Sequence, residues 1–525
     1  MDSLVYFKAI TIRIGASGSR LQIMKKKLIL FGKTILFLVI LLAVMAAVMV
    51  VTQRKESYEK NAAFFDEAKK DHVDVLFLGS SHVINGINPA VLYRDYGFTS
   101  YNLGGHGSLM QETYWQLIRA LDVCKPKCVV VDTYMLEKDY QYVDIMDDNA
   151  TDADRSVSVE QLHLNMDAYP LSKLKIAAIN ELVFDKEIKK EFLFDFMVYH
   201  DRWKELGGED FKAITGKSKK NKLMGAEMRY GVKTDVDVYD KAADDQILTE
   251  ETVGMTYLRK ILDECKRDGI EVIPVYLPFS ATTTDQIAAN TAGAIASEFD
   301  TTYLNMLKAD GIIDEAADLN DHGHLNSTGA EKVTDYIGNV LMEKDILIDH
   351  RGDEEYSEWD KVVQGYEKEI EGLQTDGTDL ISQINLLSLN NVSNVIFFNE
   401  GSAALKDEGL MNLIKNISGT DKVFEAAAAG GPYLLICDNG NGKIYEASGY
   451  ETLEGVPTTM GDMMYIPIEK KFRLLYPTSD ESLNYLYDDN HLEEDIQIVT
   501  YDNESGELLS HLYYTSGHPE YVVNK

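Results

Sequence analysis

Basic residues are scarce in this 525-residue chain. Lysines and arginines number 51 against 86 aspartates and glutamates, a formal net charge of -35. Nucleic-acid binding draws on basic surface, so this balance argues against a nucleic-acid partner. It suits a surface that faces water or a polyanionic wall. Cysteine is almost lacking as well: four residues, Cys124, Cys128, Cys265 and Cys437, with no CxxC pair and no zinc spacing. Cys124 and Cys128 either close a small loop or serve as ordinary packing residues. Long uncharged apolar runs are also rare, and the one that stands out lies near the N-terminus.

That run is "TILFLVILLAVMAAVMVV", residues 34 to 51. Extended back to Leu28 it is broken only by Lys33, enough apolar length to span a bilayer. A secretory signal would have a shorter apolar core followed by a small-residue cleavage site, and Val44-Met45-Ala46 is a poor one. An uncleaved anchor over 28–51 is the better reading. Residues 1–33 carry Lys8, Arg13, Arg20, Lys25, Lys26, Lys27 and Lys33 against the single acid Asp2, all but Lys33 ahead of the anchor. This bias predicts a cytoplasmic N-terminus over 1–27, with the chain outside the cell from about residue 52. Met24, followed by three lysines, reads as a natural start.

Beyond the anchor, strands alternate with helices. "VDVLFL", "FTSYNL", "KCVVVDTY", "IEVIPVYLP" and "TTYLNM" read as strands. The run Ser108–Leu121 reads as a helix with a Ser108/Gln111 capping box, and Glu250–Arg267 as a helix stopped by Gly269. The pattern predicts an α/β domain over 56–350, with helices on both faces of a parallel sheet. Residues 137–248 interrupt the rhythm as a polar insertion, where substrate specificity often sits. Its "KSKKNK" run at 217–222 reads as a solvated loop rather than a polyanion site. An acidic amphipathic helix over 353–375 reads as a linker. From 376 to 525, short strands punctuated by "NGNG" and "NESG" turns predict a second, mostly β accessory domain with one helix near Leu405–Ile414.

Three segments carry candidate chemistry. Gly79-Ser80-Ser81 ends the first strand, and ligands of open parallel sheets bind at carboxyl ends of strands. Asn102-Leu103-Gly104-Gly105-His106-Gly107 ends the second, with glycines that let backbone N–H groups approach a reacting carbonyl. Far downstream, "LNDHGHLNSTGAEKV" sets Asp321 three residues before His324. A serine needs a base to take its proton, and the base needs an orienting carboxylate. A metal site built on Asp321, His322 and His324 is the alternative, but it lacks a partner ligand elsewhere in the sequence. Each segment alone is ordinary.

Together they resemble the SGNH (GDSL-like) hydrolase superfamily over roughly residues 70–345. Gly79-Ser80-Ser81 matches the first block of that family, Asn102-Leu103-Gly104 the second and Asp321-His322-Gly323-His324 the fifth. The resemblance implies a flavodoxin-like sheet and a catalytic triad of Ser81, His324 and Asp321. It implies an oxyanion hole from the N–H groups of Ser81 and Gly104. The third block of the family offers an Asn side chain. This chain has Asp132-Thr133-Tyr134 there, so Thr133 or Tyr134 is the substitute, unless backbone alone suffices. With the anchor, the layout looks like membrane-bound proteins of cell-surface acylation, the alginate O-acetylation and D-alanyl-lipoteichoic acid kind. Such proteins work beside a membrane-bound O-acyltransferase.

The expected activity is transfer of an acyl group, acetyl foremost, to a cell-surface polysaccharide or teichoic-type polymer. An esterase with the same triad is the second reading. A non-catalytic surface module that binds polymer or an acyltransferase is the third. No cofactor and no metal is implied. His82 reads as a structural or rim residue rather than a second catalytic one, and is a candidate for contact with substrate. His200 and Trp203 in "YHDRW" read as packed or solvated residues, with stacking against a sugar as the alternative.

Overall fold

The computed structural model describes residues 2–53, 56–138, 151–194, 196–215, 222–309, 311–449, 451–466, 471–475, 496–515 and 522–524. Apart from Lys222, the basic run at 217–222 lies outside them. The N-terminal helix Asp2–Thr52 contains the stretch Met24–Thr52, long and apolar enough to cross a membrane. From Leu28 to Val48 its large apolar side chains are exposed, and at Val51 it enters the body of the protein.

The first domain is built on a five-stranded sheet of β1 (Val75–Leu78), β2 (Ser100–Asn102), β3 (Cys128–Asp132), β4 (Glu271–Tyr276) and β5 (Leu304–Asn305). All neighbours are parallel and the order is β2-β1-β3-β4-β5, a doubly wound arrangement. The strand side chains alternate between two cores. Leu76, Leu78, Val129, Val131 and Tyr276 enter one, and Val75, Phe77, Val130, Ile273 and Val275 the other. Because successive residues point to opposite faces, strands apolar at every position need cover on both sides. Helices Met110–Leu121, Val253–Asp268 and Thr283–Glu298 cover the first face, and Pro89–Tyr96 and Ser327–Glu343 the second. Val253–Asp268 ends on Gly269 in the left-handed conformation, as its sequence predicts. The same alternation settles the cysteines. Cys124 and Cys128 pack into opposite cores, and all four are free and buried.

Two expectations need correction. The helix after β2 begins at Met110 with Leu109 as its cap and no side-chain cap bond. Ser108 instead gives its hydroxyl to the buried Glu112, so the expected capping box with Gln111 does not form. Gln111 bonds Tyr257 Oη. The acidic helix, Ser357–Asp376, is more than a linker: Trp359, Tyr366 and Ile370 are buried, and Trp359 stacks on Tyr93.

The second domain has a six-stranded antiparallel sheet. Its order is β14-β13-β12-β6-β7-β8, from β6 (Val392–Phe398), β7 (Tyr433–Asp438), β8 (Lys443–Ser448), β12 (Ile496–Asp502), β13 (Leu508–Thr515) and β14 (Val522–Asn524). A second sheet joins β9 (Leu453–Thr458), β10 (Gly461–Ile466) and β11 (Lys471–Leu475). "NGNG" turns β7 into β8, and "NESG" turns β12 into β13. Helices Leu380–Leu387, Glu408–Ser418 and Lys422–Ala429 cover one face of the larger sheet. Ala317 of the first domain joins their core.

Candidate active site

β1 stops because Gly79 turns the chain at φ 145°, a conformation that side chains disfavour. A Cβ there would lie 2.8 Å from both Asp132 Cβ and Val83 Cγ2. Ser80 then caps the short helix Ser81–Gly86: its Oγ accepts from His82 N at 3.2 Å. Ser81 is therefore the first helical residue. It stands at the carboxyl edge of the sheet with its side chain partly exposed.

The structure brings Ser81 and His324 together across 243 residues of sequence, with Oγ 2.9 Å from Nε2. His324 Nδ1 lies 2.8 Å from Asp321 Oδ1. The same carboxylate oxygen accepts the N–H groups of Gly323 and His324, each at 3.0 Å, so one turn sets both residues. The turn is held from behind. Asn326 N donates to Asp318 O, Asp318 is wholly buried against Lys332 at 2.6 Å, and Thr328 Oγ1 reaches Asp318 Oδ1 at 2.9 Å. His322 turns away to pair with Asp237, so Asp321, His322 and His324 do not converge as metal ligands.

Sequence reasoning missed Arg229. Its Nη1 lies 2.6 Å from Asp321 Oδ2 and 3.5 Å from His324 Nδ1. It comes from the end of the insertion, where residues 224–233 run as an extended strap over the site. The strap bonds backbone to backbone with Asn102, Ile84, Ser327 and Leu319 in turn. No local pattern in "AEMRYGV" announces this role.

The charges have clear causes. Burial works against the Asp321 carboxylate. The Gly323 N–H, His324 and the Arg229 charge outweigh it and hold the group below its ordinary range. Burial and Arg229 lower His324, with Asp321 opposing, so the imidazole is neutral and able to accept a proton at neutral pH. His82 is buried, and burial with the neighbouring His324 pushes it down to about 3. Its ring stacks on Tyr134 at 3.9 Å, meets Phe279 edge-on at 4.7 Å and lies 5.6 Å from His324. It is an uncharged, buried wall of the site, the structural rather than the rim alternative.

The expected oxyanion donors fare differently. Ser81 N–H has no bond partner among the described residues, as first-turn N–H groups of a helix do not. Gly104 is in close packing: a Cβ would lie 2.7 Å from Ser80 O and 2.8 Å from Ile84 N. Its N–H, however, donates to Asn102 Oδ1 at 3.1 Å. Thr133 does not face the site. It is fully buried, and both its N and Oγ1 donate to Val275 O at 2.9 Å. Lys60, from the helix that follows the anchor, sends Nζ to Gly104 O and so ties the glycine loop to the membrane-proximal end.

His200 and Trp203 are not brought to Ser81. They lie on the turn His200–Lys204, which packs on the exit of the N-terminal helix, and both are exposed. Beside the His82–Phe279 wall, a cleft of about 620 Å³ is lined by Val238, Tyr239, Phe279, Asn305, Leu307 and Glu315. Ser280 N donates to His322 O, linking the wall of this cleft to the Asp321–His324 turn.

No protein-family model matches this chain, and no curated protein matches it either.

Proposed function

We propose that this protein is a serine acyltransferase of SGNH type, anchored in the membrane with its two domains outside the cell. The observation that carries the reading is the relay Ser81 Oγ–His324 Nε2 and His324 Nδ1–Asp321 Oδ1, at 2.9 and 2.8 Å on one exposed sheet edge. In this reading His324 takes the hydroxyl proton as Ser81 Oγ attacks the ester carbonyl of a donor. The tetrahedral oxyanion takes the Ser81 N–H, and Gly104 joins when its N–H leaves Asn102. His324 then protonates the departing alcohol, leaving acyl-Ser81. An acceptor hydroxyl gives its proton to His324 and attacks the acyl carbon, and as the acyl–Oγ bond breaks His324 returns that proton to Ser81 Oγ.

The adjacent cleft, with its aromatic side and polar Asn305 and Glu315, has room for a sugar residue as acceptor. The lysines and arginines ahead of Leu28 favour a cytoplasmic N-terminus, which sets the site on the outer face, where surface glycans lie. A membrane-bound O-acyltransferase is the expected donor partner.

The test is incubation of the purified chain with an activated acetyl ester, with and without acceptor oligosaccharide. Acetyl-Ser81 detected by peptide mass analysis, with label passing to the sugar, supports transfer. Equal release with and without acceptor makes the protein an esterase. An active enzyme from which no acyl-Ser81 can be trapped would falsify the nucleophile assignment.

A further inference from the structure

The segment that clasps the exit of the N-terminal helix carries a group of exposed large apolar side chains. It is made of the helices Phe196–Tyr199, His200–Lys204 and Gly208–Lys212 and the turn Ala213–Thr215. All four pack against the end of the N-terminal helix. The clasp is specific: Arg202 Nη1 donates to Thr52 O at 2.8 Å and also to Gln53 O. Arg202 Nη2 pairs with Asp210 at 3.2 Å, and Asp210 takes the N–H of Gly207 at 2.9 Å. The guanidinium thus satisfies carbonyls that a helix end leaves open, and fixes the segment to the helix axis.

On the outside of this clasp, Phe194, Phe196, Met197, Trp203, Phe211 and Ile214 are 43% to 64% exposed. Single exposed apolar residues are normal, but six large ones gathered on one short segment mark an interaction surface. Their position says what covers them. Val48 is the last strongly exposed apolar residue of the helix, and Thr52 and Gln53 are already held by Arg202. Four or five residues of helix rise about 6–7 Å. One headgroup layer, half the difference between the full bilayer and its hydrocarbon core, is about 5–7 Å thick. The clasp therefore falls at the depth where the bilayer ends. Trp203 beside Lys204, with Nζ 5.6 Å from the ring, is the pairing favoured at that depth.

We infer that this face rests in the headgroup layer of the bilayer crossed by the N-terminal helix. Trp203 and its apolar neighbours then contact lipid directly. The inference rests on the reading of Met24–Thr52 as a membrane span and is independent of the serine chemistry. It gives the anchor a second function. The domain is seated against the membrane, and Lys60, which holds the Gly104 loop, lies on the first helix beyond the seat.

The test uses the full chain reconstituted in phosphatidylcholine vesicles, plain or with lipid brominated near the headgroup end of its acyl chains. The chain's other tryptophans are Trp359, buried in the core, and Trp115, partly buried against it. Trp203→Phe therefore isolates the exposed signal. The expected result is quenching of tryptophan emission by brominated lipid, lost in Trp203→Phe, with little quenching by aqueous iodide. Emission quenched by iodide and indifferent to brominated lipid would overturn the inference. Shielding of Trp203 in native membranes but not in lipid-only vesicles assigns the face to a protein partner and also overturns it. A carbonate wash keeps the two readings apart. A chain that resists the wash yet shows no lipid quenching loses the seat but keeps the span. A chain that washes off loses both.

Discussion

Arg229 Nη1 sits 2.6 Å from Asp321 Oδ2, while the other oxygen of that carboxylate faces His324. The carboxylate that should stabilise a protonated His324 is thus shared with a permanent cation. Arg229 and burial both depress the imidazole. Replacing Arg229 by Gln removes one of the causes that lower His324 and should raise its pKa. The acid limb of kcat/KM against pH should move to higher pH, with activity on the alkaline plateau largely retained. An unshifted limb with activity lowered at every pH would make Arg229 a positioning residue only.

In the proposed reaction Ser81, His324 and Asp321 act in one step. Ser81→Ala and His324→Ala should each lower kcat by about 10⁴-fold or more, and the double variant should lose little beyond either. Asp321→Asn should also be severe, because the amide removes the charge that favours the imidazolium. Steady-state rates with an activated ester decide this. Two single losses that multiply in the double variant would show that the residues are not a unit.

His82 links the site to stability. Its folded-state pKa of about 3 lies below the ordinary 6.5, so the unfolded chain binds the extra proton between these values. The contribution of His82 is fully present above pH 6.5 and is lost as pH falls toward 3, at about 1.4 kcal/mol per pH unit. Urea unfolding at pH 7 and pH 5 should show a smaller drop for His82→Phe than for the native chain. Equal drops would mean that His82 is protonated in the folded protein.

The glycine loop tolerates no side chain. In Gly104→Ala the new methyl would press on Ser80 O and Ile84 N at 2.7 and 2.8 Å, both backbone atoms. Overpacking of this kind costs about 1–3 kcal/mol, read as a lower Tm. Since Ser80 precedes the proposed nucleophile, kcat should fall as well. Native stability and activity in this variant would show that the loop stands off from Ser81.

The second domain also reaches the site. Asn385 Nδ2 donates to Thr328 Oγ1 at 3.0 Å, and Asn416 Nδ2 reaches Asp314 Oδ2 at 2.6 Å, both on the segment around Asp321 and His324. Asn385→Ala leaves Thr328 short of a partner and should cost about 1 kcal/mol. Its kcat should fall more than its KM changes, since the triad turn loosens while the cleft stays. A variant that alters KM alone would place Asn385 in acceptor binding.

Much was legible in the order of residues along the chain. The apolar helix over 28–51, the five parallel strands and the β-rich second domain follow from local periodicity and turn residues, which act over a few neighbours. Ser81, Asp321 and His324 could be named because each sits in a short pattern with its own chemistry. β9 and β14 escaped notice: β9, "LEGVPT", holds a glycine and a proline, and β14 is only three residues long. What the sequence could not state is which distant groups meet. Arg229 against Asp321, Thr133 spent on Val275 O, Gly104 N–H taken by Asn102, and Trp203 at the helix exit rather than at the serine are all products of packing. No spacing rule encodes them, because each partner is chosen by the way separate elements close on one another. The sequence by itself determined the candidate site residues and the layered scaffold; only the tertiary structure decided their neighbours, and neighbours at 3 Å set charge, access and partner.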